Sequence, residues 1–135
     1  MKKMVEETIE EFRANDGVVG GMFEGADLLL LHHVGAKTDT ERVSPVMFQA
    51  QGENWAVFAS KGGAPTNPGW YHNLLANPDT QIEVGTDIIN VTARVADGDE
   101  RTEIWEAQKA AHPQFAEYEK TSEGREIPVV ILERA

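Results

Sequence analysis

The chain has 135 residues, 41% of them hydrophobic, and a formal net charge of −11. Length and apolar content together predict one globular domain over residues 1–135 with a single core. The acidic balance disfavours binding to nucleic acid or to anionic lipid, because both are bound mainly through Lys and Arg. The sequence contains no cysteine, which excludes disulfides, thiolate metal ligands and a cysteine nucleophile.

Residues 1–16 lack the apolar run of a signal peptide. Within them, Val5, Ile9 and Phe12 follow the spacing of an amphipathic helix with an acidic polar face. Helices that lie on membranes have a basic polar face instead, so we expect this helix to dock on the rest of the domain or on a partner chain. No segment reaches the roughly 18 apolar residues that cross a bilayer. We therefore expect a cytoplasmic protein without an integral membrane segment.

Six segments rich in leucine, β-branched and aromatic residues predict strands. They cover residues 28–34, 42–49, 55–59, 81–84, 88–95 and 127–132. Most links between them are short, whereas a parallel sheet needs a helix between most strands. We therefore predict a mainly β fold, a six-stranded antiparallel barrel with peripheral helices over residues 26–135, preceded by the N-terminal helix of residues 1–16.

Three further helices are expected between the strands, over residues 68–76, 97–111 and 113–118. The first follows from Asn67 and Pro68, an N-cap residue before proline at the first helical position. We expect Leu74 and Leu75 of this helix to lie in the core. Trp70 and Tyr71 could cover a planar ring and Asn73 could anchor it by hydrogen bonds, although a packed core helix would have the same composition.

The segment of residues 59–64, Ala-Ser-Lys-Gly-Gly-Ala, follows a predicted strand and suits an anionic ligand. Its glycines let backbone amides approach a ligand, Ser60 adds a hydroxyl and Lys61 adds a charge. The spacing is not that of a nucleotide P-loop, and a flexible glycine turn with a solvated lysine is the alternative. Ser60 also lacks the setting of a hydrolase nucleophile.

A second basic segment, residues 35–42, would meet Lys61 if the first three strands pair in order. Lys37, Arg42 and Lys61 are the basic residues between Arg13 and Arg94, so their convergence would form a positive pocket on an acidic surface. The alternative is a solvated hairpin tip in which Asp39 and Glu41 neutralise the cations, and such exposed pairs contribute little.

His32 and His33 are adjacent on a predicted strand, so their side chains point to opposite faces. They cannot readily share one metal ion, and the chain has no cysteine or H-E-x-x-H motif. We expect one packed and one partly exposed histidine, and no metal site.

Several motifs in order resemble the deazaflavin-dependent nitroreductase family, oxidoreductases with an FMN-binding-like split β-barrel that use coenzyme F420. The matching residues are Ala59-Ser60-Lys61-Gly62-Gly63-Ala64, Asn67-Pro68, Trp70-Tyr71, Ala76-Asn77-Pro78 and Arg125-Glu126-Ile127-Pro128-Val129-Val130. The resemblance implies hydride transfer from the reduced coenzyme to an electron-poor nitroaromatic, quinone, enone or unsaturated lactone. Split barrels often pair, so a homodimer is an open expectation.

The same resemblance implies a set of site residues. The phosphate and acidic tail would bind Lys37, Thr38, Arg42 and Lys61. The deazaflavin ring would contact Ser44, Pro45 and Met47, and the rest of the cofactor pocket would come from Ala59, Ser60, Lys61, Gly62, Trp70, Tyr71 and Asn73. On the substrate side, Ser60 would orient the acceptor or donate a proton, and Tyr118 aligns with a family aromatic.

The first loop departs from the family pattern, because Ala36 and Asp39 stand where the family usually has arginine and glycine. An acidic side chain there weakens the tail site, which keeps two alternatives open. One is an FMN enzyme on the same barrel, which needs phosphate contacts but no groove for a long acidic tail. The other is a non-catalytic carrier of a hydrophobic ligand.

Overall fold

The computed structural model describes residues 2–14, 28–35, 40–60, 67–121 and 126–135. Within these ranges the elements follow the predicted order of helices and strands. They are α1 (Lys2–Ala14), β1 (Leu28–Val34), β2 (Glu41–Gln51), β3 (Asn54–Phe58), α2 (Gly69–Ala76), β4 (Asp79–Val84), β5 (Asp87–Val95), α3 (Gly98–Ala111), α4 (Gln114–Thr121) and β6 (Val129–Arg134).

The six strands form a closed barrel in the order β1-β2-β3-β6-β5-β4, and every described pair is antiparallel. The first three strands are a meander, as predicted. Tight turns link β2 to β3 and β4 to β5, and each places a glycine in the left-handed region, Gly52 at φ 62° and Gly85 at φ 57°. The predicted antiparallel barrel is therefore confirmed.

Alternate residues of the strands fill the barrel, and the remaining ones lie beneath the helices. Leu29 and Leu31 point inward, where they meet Val57, Ile82 and Leu132. The opposite faces of β3 and β6 are covered by Trp105 of α3 and Phe115 of α4, which form an aromatic cluster with Phe58 of β3. Burial on both faces explains why these strands read as unbroken apolar runs.

Helix α1 docks on the outside of the barrel. Phe12, only 1% exposed, packs against Leu28 and Leu30 of β1. Beside it, Arg13 donates two hydrogen bonds to the carboxylate of Glu83 on β4, one from Nε at 3.1 Å and one from Nη2 at 2.7 Å. The expected docking of the amphipathic helix on the domain is therefore confirmed. In the part of the chain described, no helix combines the length and apolarity needed to span a membrane.

Helix α2 crosses the end of the barrel at which β1 and β3 finish and β2 begins, which we call the upper end. Trp70 and Leu74 are buried beneath it in the barrel core. Leu75 is 55% exposed, so its predicted burial is wrong. Adjacent positions on a helix lie about 100° apart, and a short helix with one buried face cannot bury both leucines.

Most element boundaries differ from the prediction by one to three residues, and some of these differences involve a proline. Pro68 is the N-cap of α2, with extended backbone at φ −68° and ψ 154°, rather than its first helical residue. Strand β6 begins at Val129 rather than Ile127. Proline at position 128 cannot donate to a strand ladder, although its carbonyl accepts from the Ala59 amide at 3.0 Å. Ile127 is buried all the same.

Replacing Phe12 tests how strongly α1 is attached. We expect Phe12→Ala to lower the free energy of unfolding by about 3 kcal/mol, because it removes a fully buried ring between the helix and β1. Glu10→Ala, an exposed position of the same helix, should change it by less than about 0.5 kcal/mol. Urea denaturation measures both variants. A loss for Phe12→Ala as small as that expected for Glu10→Ala would show that α1 adds little to the stability of the fold.

Candidate functional site

The upper end of the barrel brings together polar side chains from three elements. His33 of β1 is the cross-strand neighbour of Arg42, and Leu31 is the neighbour of Ser44 on β2. His33, Arg42 and Ser44 thus belong to the inward-facing rows of the two strands. Helix α2, which lies across this end, adds Asn73.

His33 joins two of these residues through its ring nitrogens. The side-chain amide nitrogen of Asn73 lies 2.9 Å from Nδ1 of His33. On the other side of the ring, Nε2 lies 2.9 Å from the Ser44 hydroxyl oxygen. We call His33, Ser44 and Asn73 the His33 cluster. It connects β1, β2 and α2 at the mouth of the barrel.

The His33 cluster contains a neutral imidazole. His33 is 4% exposed, and its burial lowers the pKa of the ring to about 4, with smaller contributions from the positive charge of Arg42 and from His32. Losing water disfavours the charged form of a base, and a nearby cation acts in the same direction. Near pH 7 the ring is therefore neutral.

His32 points to the outer face of β1, where it has acidic partners. Its Nε2 lies 2.7 Å from Glu83 and its Nδ1 lies 3.2 Å from Glu41. Hydrogen bonds from Arg13 and then from His32 hold the pKa of Glu83 below its usual range. The prediction of one packed and one partly exposed histidine is confirmed. Among the described residues no group of three or more His, Asp or Glu side chains is placed to hold a metal ion.

The predicted cationic pocket is described only at Arg42. Its side chain is exposed at the start of β2, at the upper end of the barrel. Lys37, Thr38, Lys61 and Gly62 lie outside the described residues. Glu41, the alternative partner for these cations, contacts His32 on the outer face. The convergence of Lys37, Arg42 and Lys61 stays a prediction.

The other predicted ring-site residues lie on two sides of β2. Ser44 is in the inward-facing row, whereas Pro45 and Met47 alternate with it. Met47 packs against two clusters outside the barrel, that of Phe12 with β1 and the aromatic cluster of Phe115, which Tyr118 of α4 also contacts. The ring of Tyr118 is 5.1 Å from that of Phe115.

The remaining predicted residues follow β3 or lie on α2. Ala59 is buried and Ser60 is partly buried just beyond the end of β3. Tyr71 is partly buried at the upper end. Trp70 packs into the barrel core and is 9% exposed, which leaves little of its ring for a ligand, so its role in covering the cofactor stays a prediction.

An apolar cavity of 210 Å³ lies at the upper end, between α2 and the adjoining strands β5 and β6. Its mouth includes Leu75 and Val95, two of the three large hydrophobic side chains exposed in the described ranges. This cavity could not be predicted from the sequence, because its walls come from segments that are far apart in the chain. The lining residues are Tyr71, Leu74, Leu75, Pro78, Ala93, Arg94, Val95 and Val130.

The strands form a closed six-stranded antiparallel barrel with helices outside, and one end carries a polar cluster and an apolar cavity. This architecture is that of a split-barrel protein. The sequence profile of the F420H(2)-dependent quinone reductase family matches residues 4–134. A protein of Mycobacterium tuberculosis named as such a reductase is 37% identical over 127 residues, covering 91% of this chain and 85% of that protein. The chain belongs to this family of oxidoreductases.

Solved structures agree with this assignment. One, described as an F420-H2 dependent reductase, is 37% identical and superposes with a TM-score of 0.72 over 79% of this chain and 94% of that one. Another, described as a domain-swapped dimer, is 35% identical with a TM-score of 0.74 and covers 98% of this chain and 96% of its own. The predicted split barrel and the predicted resemblance to deazaflavin-dependent enzymes are confirmed.

The neutral His33 should make folding stability depend on pH in a defined window. Since the pKa falls from 6.5 to about 4 on folding, the unfolded chain binds more protons between these values. The contribution of the neutral His33 to the free energy of unfolding is fully present above pH 6.5. It is lost as the pH drops towards 4, which lowers the free energy of unfolding by up to about 3 kcal/mol. His33→Gln cannot titrate, so its unfolding free energy should lose this part of the pH dependence. Urea unfolding at pH 7 and about pH 4.5 measures the difference, and identical pH dependence in both proteins would contradict it.

Proposed function

We propose that this protein is a reductase that binds coenzyme F420 and passes a hydride from its reduced form to an electron-poor organic acceptor. The observation that carries the proposal is the family match over residues 4–134. Its relative of 37% identity, named an F420H(2)-dependent quinone reductase, is covered over 85% of its length. Similarity over nearly the whole of both chains supports a shared reaction.

The polar groups at the upper end fit such a cofactor. Arg42 offers an exposed guanidinium at the start of β2. A guanidinium is suited to binding phosphate and carboxylate groups. Ser44 and Asn73 offer a hydroxyl and an amide, which suit the carbonyl and N–H edge of a deazaflavin ring. Because the chain carries a net charge of −11, a local cationic site would matter for binding an anionic tail.

The residues that would hold the cofactor fall into two groups. Lys37, Thr38, Arg42 and Lys61 would bind the phosphate and the acidic tail. The ring and its surroundings would be contacted by Ser44, Pro45, Met47, Ala59, Ser60, Gly62, Trp70, Tyr71 and Asn73. The bound coenzyme supplies the two electrons as a hydride, while the protein supplies placement and exclusion of water.

On the acceptor side, Ser60 and Tyr118 are the proposed catalytic residues. The Ser60 hydroxyl, partly buried beyond β3, would orient the acceptor or give it a proton once the hydride has arrived. Tyr118 would contribute its ring and hydroxyl from α4. The acceptor class remains that of two-electron acceptors, namely quinones, nitroaromatics, enones and unsaturated lactones.

The apolar cavity beside Tyr71 supports an acceptor with an apolar part. A cavity of 210 Å³ is large enough for a small ring or a short branched chain, and apolar walls favour uncharged ligands. The same cavity also favours the second candidate function, a carrier of a hydrophobic ligand without catalysis. Such a carrier would bind apolar ligands with no coenzyme present.

We also propose that the protein forms a homodimer and is cytoplasmic. A homodimer is supported by a similar structure described as a domain-swapped dimer, and light scattering after gel filtration tests it. A cytoplasmic location is supported by a chain without cysteine.

Removing the guanidinium of Arg42 tests the tail site. We expect Arg42→Ala to raise the Kd for oxidised coenzyme F420 about tenfold or more, since hydrogen bonds to charged groups are the strong ones. Fluorescence titration of the coenzyme measures this, and the loss should shrink as salt increases. Arg134→Ala makes the same charge change at the end of β6, at the opposite end of the barrel, and should leave the Kd nearly unchanged.

Two results would count against the proposal. Equal weakening in both variants would indicate a general effect of charge rather than a site at Arg42. If the unmodified protein binds FMN or apolar ligands but not coenzyme F420, the reductase proposal fails in favour of one of the alternatives.

A charge placed at the mouth of the apolar cavity tests the acceptor site. We expect Leu75→Glu to raise KM for an apolar quinone about tenfold with little change in kcat, because a carboxylate opposes entry of an apolar group. Ile88→Glu makes the same change at an exposed isoleucine, 67% exposed, beside the β4–β5 turn, and should leave KM unchanged. A KM unaffected by Leu75→Glu would place acceptor binding elsewhere.

A further inference from the structure

His33 occupies a position where the fold alone would favour an apolar side chain. The two residues before it in the same inward-facing row, Leu29 and Leu31, are fully buried in the core. His33 continues this row and is 4% exposed. A buried polar ring must have its hydrogen bonds supplied by the protein, and here both ring nitrogens have a partner.

We propose that His33 is a positioning residue that fixes the Ser44 hydroxyl and the Asn73 side chain toward the bound deazaflavin. This inference rests on the proposed function. It assigns His33 no contact with the cofactor. His33 acts through its two partners, which come from different elements, a strand of the barrel and the helix across its mouth.

The direction of the hydrogen bonds determines what His33 controls. The Asn73 amide nitrogen donates to Nδ1, so Nδ1 carries no proton. A neutral imidazole then has its proton on Nε2, and Nε2 donates to the Ser44 oxygen. The hydroxyl hydrogen of Ser44 cannot take part in that bond and points elsewhere. His33 therefore sets Ser44 as a donor to a third group.

The charge state of His33 supports this arrangement. Burial keeps the ring neutral near pH 7, and the positive charge of Arg42 on the neighbouring strand favours the same state. A protonated ring would carry hydrogen on Nδ1 and would face the Asn73 amide with donor against donor. The neutral ring is thus the form that can hold both partners.

The position of α2 gives the cluster its importance. Helix α2 contributes Trp70, Tyr71 and Asn73 to the proposed cofactor pocket, and it packs on the barrel mainly through Trp70 and Leu74. Apolar packing is non-directional. The hydrogen bond from Asn73 to His33 adds a direction, because it ties one side chain of the helix to one atom of β1. This fixes the amide that would meet the ring.

The test is a double-mutant cycle in coenzyme affinity, measured by fluorescence titration with oxidised coenzyme F420 and no acceptor. We expect His33→Leu and Asn73→Ala each to raise the Kd about tenfold. The double variant should bind more tightly than the product of the two single effects predicts, because His33 acts in part through Asn73 and residues that act through one another are not additive. Additive losses, or a His33→Leu protein that binds as tightly as the unmodified one, would overturn the inference.

Controls separate positioning from folding. His112→Leu makes the same substitution at the C-cap of α3, and it should leave the Kd unchanged. His33→Gln retains an amide donor for Ser44, and it should recover part of the affinity lost in His33→Leu at similar thermal stability. If both His33 variants lose affinity only in proportion to folded protein, as measured by circular dichroism, His33 is structural and the inference is wrong.

The same titration distinguishes a failure of the proposed function from a failure of the positioning role alone. An unmodified protein that does not bind the coenzyme overturns the proposed function and this inference together. An unmodified protein that binds it, with His33→Leu indistinguishable, overturns the positioning role alone and leaves the reductase proposal standing.

Discussion

The alternation of side chains along β1 is the constraint on which the rest of the structure depends. Leu29 and Leu31 face the inside of the barrel, while Leu28 and Leu30 lie beneath α1 on the outside. The same alternation separates the two histidines at the end of the strand. His33 continues the inner row towards α2, and His32 lies in the outer row. One strand thus connects the core, the N-terminal helix and the mouth of the barrel.

Much of this fold follows from local pattern. The strand of residues 28–34 was predicted with its observed bounds, because its apolar run is flanked by turn residues. The strand order and the closure of the barrel are harder to predict, since they depend on pairings between distant segments such as β3 with β6. Leu75 shows a second limit, because apolar character alone does not determine which face of a short helix is buried.

The site was predictable in part, and the missing part has a physical cause. Motifs indicated Ser44 and Asn73 as ligand groups, but not the histidine that joins them, because positions 33, 44 and 73 meet only after the barrel closes. The ion pair of Arg13 with Glu83 is equally invisible in the sequence, since it spans α1 and β4. Motif reasoning identifies groups that contact a ligand, whereas the supporting network becomes apparent from tertiary structure.

The two histidines also show how different the surroundings of two adjacent residues on one strand can be. On the outer face, His32 shares Glu83 with Arg13, so its hydrogen bond helps to attach a helix whose apolar anchor is Phe12. The inner face is different, because there a polar ring takes a place in the core that a leucine could fill. Burying that ring costs desolvation that its hydrogen bonds offset but scarcely exceed. The benefit that the proposed positioning role would bring is directional, namely a fixed orientation of Ser44 and Asn73 where the barrel opens.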